Sequence, residues 1–159
     1  MHSSDVTPET FKALIKRVTD GINGRPLDVA LQVHLNETLP ATSDLFTQIF
    51  DACRGAISAG WMCSREGGGI KYGRVIKPAE DLGGFSVDVV DMDSLKGPHH
   101  GHPHGEIDLV MPLTTGAQFD GHGAGWVVYG PGTAHSPTVT EGRALVLYLL
   151  PQGAIEFTR

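Results

Sequence analysis

One stretch of sequence indicates both the fold and the site of this protein: His99-His100-Gly101-His102-Pro103-His104-Gly105-Glu106. A second stretch downstream supplies one more histidine, in Gly130-Pro131-Gly132-Thr133-Ala134-His135. Six of the eight histidines in the chain lie between residues 99 and 135. Imidazole and carboxylate groups are ligands for Zn, Fe, Mn, Ni or Cu. This density of histidines beside a carboxylate therefore predicts a metal site.

The spacing inside the first stretch is typical of a strand, a turn and a second strand. His100 and His102 are two residues apart, so both rings project from one face of a strand. The Pro-His-Gly segment that follows favours a tight turn, after which Glu106 begins the next strand and returns its carboxylate. His135 follows its own Gly-Pro-Gly turn and supplies a ligand from a distant strand. Three nitrogens and one oxygen leave room on a metal for water or substrate. A flexible, adventitious metal-binding tract is the alternative.

The composition is that of a single globular domain with a net negative charge. The chain has 159 residues, of which 40% are hydrophobic, and 12 basic against 18 acidic residues give a formal charge of -6. That charge disfavours nucleic acid or an anionic membrane as a partner. No apolar run approaches the roughly 18 residues of a membrane span. We expect a small-molecule partner.

The cysteines and the N-terminus favour a cytoplasmic location. Met1–Asp5 lacks the basic start and apolar run of a signal peptide. Cys53 and Cys63 are too few for a disulfide framework, so two free thiols are predicted, with a single bridge as the alternative.

The first 60 residues read as three helices. Thr7 before Pro8 predicts a helix start, Gly21 an end, Pro26 a second start, and Ser43 a third helix that ends at Gly60. Apolar residues fall on one face of each segment at helical spacing. We interpret these faces as surfaces that pack against a core.

After residue 60 the apolar period changes from helical to alternating. Residues 85–89 and 106–111 alternate apolar and polar side chains, as half-buried strands do, and residues 126–129 and 144–150 read as further strands. Glycine-rich turn signals recur about every ten residues. We therefore predict an antiparallel sandwich or barrel in residues 61–159, preceded by a helical segment in residues 1–60, together one compact unit.

The two histidine stretches resemble the two motifs of the cupin superfamily. The segment 100–106 matches His-x-His, three or four residues, then Glu, and the segment 130–135 matches Pro-x-Gly-x-x-His except that Gly130 replaces the proline. The usual glycine after the first motif is also absent, since Leu113 stands there and Gly116 is displaced. The resemblance implies an α+β fold: an N-terminal helical layer packed on a cupin-like antiparallel β-barrel, a double-sheet jelly roll. Its metal ligands would be His100, His102, Glu106 and His135.

Most of the chain more closely resembles the 4-hydroxylaminobenzoate lyase family. The likeness lies in Gly69–Pro78, Phe85–Asp93, Gly121–Trp126, Leu147–Pro151 and the helical front end. It implies a carbon–nitrogen lyase that converts 4-hydroxylaminobenzoate and water to 3,4-dihydroxybenzoate and ammonia, a step in bacterial nitrobenzoate degradation. A related aromatic hydroxylamine is an alternative substrate.

This reaction needs help for the departing hydroxide, from a Lewis-acidic metal or a general acid. His104 and Asp108 are the candidates for proton transfer, ahead of His99 and His122. The substrate carboxylate needs a cation, for which Lys71 and Arg74 are the candidates, although both also read as exposed surface charges.

Other functions and properties stay open on sequence alone. A cupin dioxygenase acting on an aromatic diphenol would use Fe(II) and oxygen, and a non-catalytic cupin would bind an aromatic acid without turnover. The ligand types suit a divalent Zn, Fe, Mn or Ni ion without selecting one. Cupin-like domains often pair, so a homodimer is one candidate assembly.

Overall fold

A computed structural model describes residues 6–158 of the chain. The segment Met1–Asp5, on which the absence of a leader was predicted, lies outside the described residues, as does Arg159. Helices occupy the first part of the chain and strands the remainder. The predicted α+β architecture, helices packed on antiparallel sheets, is confirmed.

Three helices form the N-terminal layer: α1 (Pro8–Ile22), α2 (Val29–Thr38) and α3 (Asp44–Ala59). Thr7 caps α1 and Ser43 caps α3, and α3 ends at Gly60, as predicted. Helix α1 runs one residue beyond Gly21. The prediction that Pro26 opens α2 was wrong, because Asp28 caps that helix by accepting the Leu31 N–H at 2.9 Å.

Between residue 61 and residue 158, ten strands and one 3₁₀ turn (Glu80–Leu82) follow. The strands are β1 (Arg65–Gly67), β2 (Ile70–Ile76), β3 (Phe85–Lys96), β4 (His100–His102), β5 (Glu106–Pro112), β6 (Gln118–Phe119), β7 (Gly125–Tyr129), β8 (Thr133–His135), β9 (Thr138–Pro151) and β10 (Glu156–Phe157). A seven-stranded sheet has the order β1-β2-β3-β9-β5-β7, with β6 paired to β9, and a three-stranded sheet has the order β10-β4-β8. Every pairing in both sheets is antiparallel.

The outer face of the large sheet packs against the helices. Val87, Val89, Leu109 and Leu147 belong to one buried apolar cluster with the inward faces of α1, α2 and α3. The apolar faces of the three helices therefore pack against the core, as predicted. Cys53 and Cys63 are buried free thiols among the described residues, and burial raises the pKa of Cys63 to about 12.

The inner face of the same sheet forms a second buried cluster, which includes Val90, Val127, Val146 and Tyr148. Strands β3 and β5 are consequently covered on both faces, and the prediction that they are half-exposed was wrong. The polar residues of β5, Glu106 and Asp108, face the protein interior and are fully buried. The chain division near residue 60 stays a prediction. Within residues 6–158, no helix combines the length and apolar character needed to cross a membrane.

Candidate metal centre and cavity

Four side chains from three strands converge between the two sheets. His100 and His102 come from β4, Glu106 from β5 and His135 from β8. One ligand atom from each lies within 4.8 Å of those of the other three. Glu106 Oε1 lies 3.4 Å from His100 Nε2 and 3.2 Å from His102 Nε2, and Glu106 Oε2 lies 3.6 Å from His135 Nε2.

The strand pairing explains this convergence. His100 and His135 are directly opposite in the β4–β8 register, so His135 belongs to a neighbouring strand although it is distant in sequence. The turn after His102 reverses the chain and brings Glu106, at the start of β5, under the histidine rings. Strand β10 pairs with the other edge of β4, where Phe157 lies opposite His100.

The hydrogen bonds of the rings turn all three Nε2 atoms toward the centre. Nδ1 of His100 is 3.4 Å from the Pro98 carbonyl, and Nδ1 of His135 is 2.6 Å from Asp120 Oδ2. Nδ1 of His102 is 3.0 Å from Thr133 Oγ1, whose own hydrogen is donated to a backbone carbonyl. All three Nδ1 atoms therefore act as donors to outer partners, and the Nε2 atoms are the ones directed at the centre.

The centre has the character of a cation site. His135 Nε2 and His100 Nε2 are only 3.2 Å apart, close enough to share a proton or to bind one metal ion together. His102 Nε2 and both oxygens of Glu106 are buried without a hydrogen-bond partner among the described residues. Unpartnered buried polar atoms are costly, and a divalent ion would satisfy all of them at once. The residues therefore fit a metal ion.

The charge of the centre also favours a cation. Burial alone would raise the pKa of Glu106, but the three histidine rings hold it well below its usual range. Burial would lower the pKa of His135, yet Asp120 and Glu106 raise it to about 9. The centre thus holds a carboxylate and attracts positive charge.

Asp108 lies beside Glu106 on the inner face of β5. Its side chain is fully buried, and neither of its oxygens has a hydrogen-bond partner among residues 6–158. Burial and the neighbouring charge of Glu106 raise the pKa of Asp108 well above its usual range. Both effects favour the protonated form of this side chain.

A cavity of about 920 Å³ opens next to the centre and reaches it at His100. Its wall includes Tyr72, Arg74, Asp88 and Tyr148 from the large sheet and Phe157 from β10. The volume is in the range of small-molecule sites. The wall is mostly apolar with a few polar groups, which suits an aromatic ligand that bears a charged substituent.

One row of the large sheet leads from the cavity wall to the buried acid. Arg74 on β2 is opposite Asp88 on β3, Asp88 is opposite Tyr148 on β9, and Tyr148 is opposite Asp108 on β5. Arg74 Nε donates to Asp88 Oδ1 at 2.8 Å, and Nη2 donates to the Gly153 carbonyl at 3.2 Å. Three strand spacings of about 4.8 Å separate the ends of the row, so Arg74 and Asp108 lie far apart along the sheet.

Comparison with known proteins agrees with this arrangement. The family described as PnbB: 4-hydroxylaminobenzoate lyase matches residues 13–157. A 4-hydroxylaminobenzoate lyase from Nocardioides sp. (strain LMS-CY) is 32% identical over 136 residues, which covers 80% of each chain. The chain belongs to the 4-hydroxylaminobenzoate lyase family. A Pseudomonas putida protein of the same name is 31% identical over 140 residues, covering 77% of this chain and 80% of that one.

Solved structures similar to this lyase-family chain include two proteins of low identity. An oxalate oxidase in complex with the substrate analogue glycolate has a TM-score of 0.42 and 22% identity, covering 60% of this chain and 58% of the other. An RmlC-like cupin protein from Ralstonia eutropha JMP134 has a TM-score of 0.39 and 15% identity, covering 59% of each chain.

Two predicted site residues of this lyase-family chain lie away from the centre and the cavity. Lys71 is exposed, and strand alternation turns it to the face opposite Tyr72 and Arg74, which line the cavity. His104 is exposed in the turn between β4 and β5. His99 and His122, the weaker candidates, are exposed as well.

Sequence reasoning missed the outer partners of the histidines. Asp120 contacts His135, Tyr129 donates to Asp120, and Thr133 accepts from His102. Asp120 precedes Gly121, so its place in the sequence indicates a turn, which the structure contains. No spacing rule connects Asp120 to a histidine fifteen residues later, so only the tertiary structure reveals the pair.

Proposed function

We propose that the protein is a metal-dependent lyase that converts 4-hydroxylaminobenzoate and water to 3,4-dihydroxybenzoate and ammonia. Membership in the lyase family supports this activity. The observation that carries the metal dependence is the set of unpartnered ligand atoms facing one point beside the cavity. The reaction balances without an outside oxidant: the N–O bond breaks, a water oxygen joins the adjacent ring carbon, and hydrolysis of the imine releases ammonia.

His100, His102, Glu106 and His135 would hold the ion. A divalent cation bound there would supply Lewis acidity for cleavage of the N–O bond. Zinc, iron, manganese and nickel all suit three imidazoles and a carboxylate. The three Nδ1 partners fix the rings so that the ligand atoms stay aimed at the centre.

Arg74 would bind the carboxylate of the substrate at the far side of the cavity. Its Nε and one Nη2 hydrogen are engaged by Asp88 and Gly153, which orients the guanidinium and leaves further N–H groups to face a ligand. A carboxylate held there would place a para substituent toward His100, across the cavity. Lys71 is left out of the proposal because it lies on the opposite face of β2.

Asp108 is the better candidate of the two for protonating the departing oxygen. It lies on the same strand face as Glu106, whereas His104 is in the exposed turn. Asp108 sits behind the cavity wall, next to Tyr148 in the sheet register, so a proton transfer would require the substrate to reach past Tyr148. Replacing each residue in turn separates the candidates: the rate should collapse in Asp108→Asn and persist in His104→Gln.

The decisive experiment combines metal analysis with product analysis. The purified protein is analysed for bound metal by mass spectrometry and then assayed for ammonia and 3,4-dihydroxybenzoate released from 4-hydroxylaminobenzoate, without oxygen. We expect equal amounts of the two products, loss of activity with a chelator, and recovery with one divalent metal. Full activity in a verified metal-free preparation would overturn the metal dependence.

The same assay tests the two rival functions. Oxygen uptake with a diphenol substrate would indicate a dioxygenase. Binding of an aromatic acid without turnover, whichever metal is restored, would indicate a binding protein. The homodimer and the cytoplasmic location stay predictions.

The role of Arg74 is tested with a second substrate that lacks the carboxylate. Arg74→Ala should raise KM for 4-hydroxylaminobenzoate about tenfold or more, because a hydrogen bond to a charged group contributes about 1.5 to 3 kcal/mol. Phenylhydroxylamine has no carboxylate, so its KM should be unchanged by the substitution. An unchanged KM for both substrates would remove Arg74 from the site.

A further inference from the structure

We infer that Asp120 is a positioning residue: its carboxylate holds His135 in the orientation and with the basicity needed to bind the metal ion. This inference rests on the proposed metal site. The observation behind it is the contact between His135 Nδ1 and Asp120 Oδ2 at 2.6 Å. A carboxylate behind a histidine ligand fixes the ring, keeps the proton on the outer nitrogen and makes the inner nitrogen a stronger ligand.

Among the three histidine ligands, His135 is the one with a charged outer partner. His100 contacts the carbonyl of Pro98, and His102 contacts the hydroxyl of Thr133. His135 is also the most exposed ring of the three, at 12% of its side-chain surface, against 2% for His100. The ligand with the least packing around it therefore has the strongest hydrogen-bond partner.

The strand that carries His135 has little packing of its own. Strand β8 is three residues long, and Thr133 and Ala134 are exposed. The His135 ring contacts the rings of Tyr129 and Phe119, but its own strand adds little burial around it. Strand β4 restrains His100 and His102 by burying them between the sheets. The contact with Asp120 restrains His135 instead.

Asp120 is itself held on both oxygens. Oδ1 accepts the backbone N–H of Thr138 at 2.9 Å, and Oδ2 accepts the Tyr129 hydroxyl in addition to His135. The backbone N–H of Asp120 donates to the Thr138 carbonyl at 2.8 Å. These contacts fix the carboxylate before any metal binds, so that it can act as a rigid support for the ring.

The turn by itself also accounts for an aspartate at this position, which the experiment must separate from support of the metal. Asp120 and Gly121 have φ values of +50° and +83° and connect Phe119 to His122, whose backbones exchange hydrogen bonds of 2.8 Å. Asp-Gly and Asn-Gly both suit two-residue turns with positive φ. Asparagine would therefore keep the turn, whereas only aspartate supplies a charge to His135.

The test measures metal affinity for the Asp120→Asn and Asp120→Ala variants of the whole protein. Zn²⁺ affinity is measured by competition with a chromophoric chelator, and the absorption spectrum of bound Co²⁺ reports the ligand set. We expect affinity to fall roughly 10- to 100-fold in both variants, more in the alanine variant, with an altered cobalt spectrum. Asp51→Asn, an exposed position on α3, controls for the change in net charge.

The outcomes separate this inference from the proposed function. Wild-type affinity and an unchanged cobalt spectrum in Asp120→Asn would overturn the support role while leaving the metal site intact. Failure of the unmodified protein to bind Zn²⁺ or Co²⁺ would instead overturn the metal site. Circular dichroism of the asparagine variant establishes that its fold is retained, so the result holds even where the alanine variant does not fold.

Discussion

On strand β5, Ile107 and Leu109 pack against the helical layer, whereas Glu106 and Asp108 face the interior between the sheets. All four side chains are buried, yet their surroundings differ. The outer face is lined by apolar groups that have no need for hydrogen bonds. The inner face holds two carboxyl groups whose oxygens have no partner among the described residues.

The difference between the faces indicates that one face of β5 stabilises the fold and the other carries the candidate site. Apolar burial on the outer face contributes free energy of folding. Unpartnered polar groups on the inner face cost folding free energy, and such costs are typical of functional sites. Because side chains alternate along a strand, one short element serves both purposes.

The largest expected effect is on the inner face. Glu106→Gln should weaken metal binding by more than about 100-fold, since even the loss of an outer hydrogen-bond partner costs about 10- to 100-fold. Ammonia release should fall with it, and the helical content should not change. Chelator competition and circular dichroism measure the two properties. Undiminished metal affinity in this variant would mean that Glu106 is not a ligand.

Asp108→Leu sharpens the comparison because it replaces a polar side chain on the inner face of β5 with an apolar one, as on the outer face. The metal-free variant should be more stable than the unmodified protein by about 1 to 3 kcal/mol, the usual cost of an unsatisfied buried polar group. Lyase activity should be lost. Urea unfolding of both metal-free proteins provides the free energies. A less stable variant would show that the carboxyl group makes contacts that the fold needs.

Ile107→Val tests the outer face with the smallest change of volume. The loss of one buried methylene should cost about 0.5 to 1.5 kcal/mol of folding free energy. Metal affinity and turnover per folded molecule should stay at their original values, because Ile107 faces the helices. A fall in metal affinity at constant helical content would show that the two faces are coupled.

The smallest effect expected is a pH dependence that arises from Asp88 at the cavity wall. Burial raises the pKa of Asp88, although Arg74 opposes the shift, so the folded protein takes up this proton more readily than the unfolded chain. Stability from this group is therefore present below the ordinary carboxyl pKa of about 3.9 and is lost as the pH rises through the folded value.

Asp88→Asn removes that dependence. Urea unfolding of both proteins over a series of pH values should show the unmodified protein gaining stability relative to the variant as the pH falls toward 4. The opposite slope would mean that the pairing with Arg74 outweighs burial at this position.

The candidate site could be predicted from sequence where its residues are close together. His100, His102 and Glu106 lie within seven positions, and strand geometry alone places them on converging faces. His135 is thirty-three residues beyond His102 and was found through its motif. Asp120 was missed, because its link to His135 is a side-chain contact between the turn after β6 and strand β8, which only the folded chain brings together.

The alternation of residues 85–89 and 106–111 determined that these segments are strands with two unlike faces, since successive side chains point in opposite directions. Sequence could not determine what covers each face. Only the tertiary structure decided that the polar face of β3 and β5 lines an interior space instead of meeting water, because that depends on a second sheet closing over it. Pairing between β4 and β8 completes the centre, and such pairing is a property of the whole folded chain.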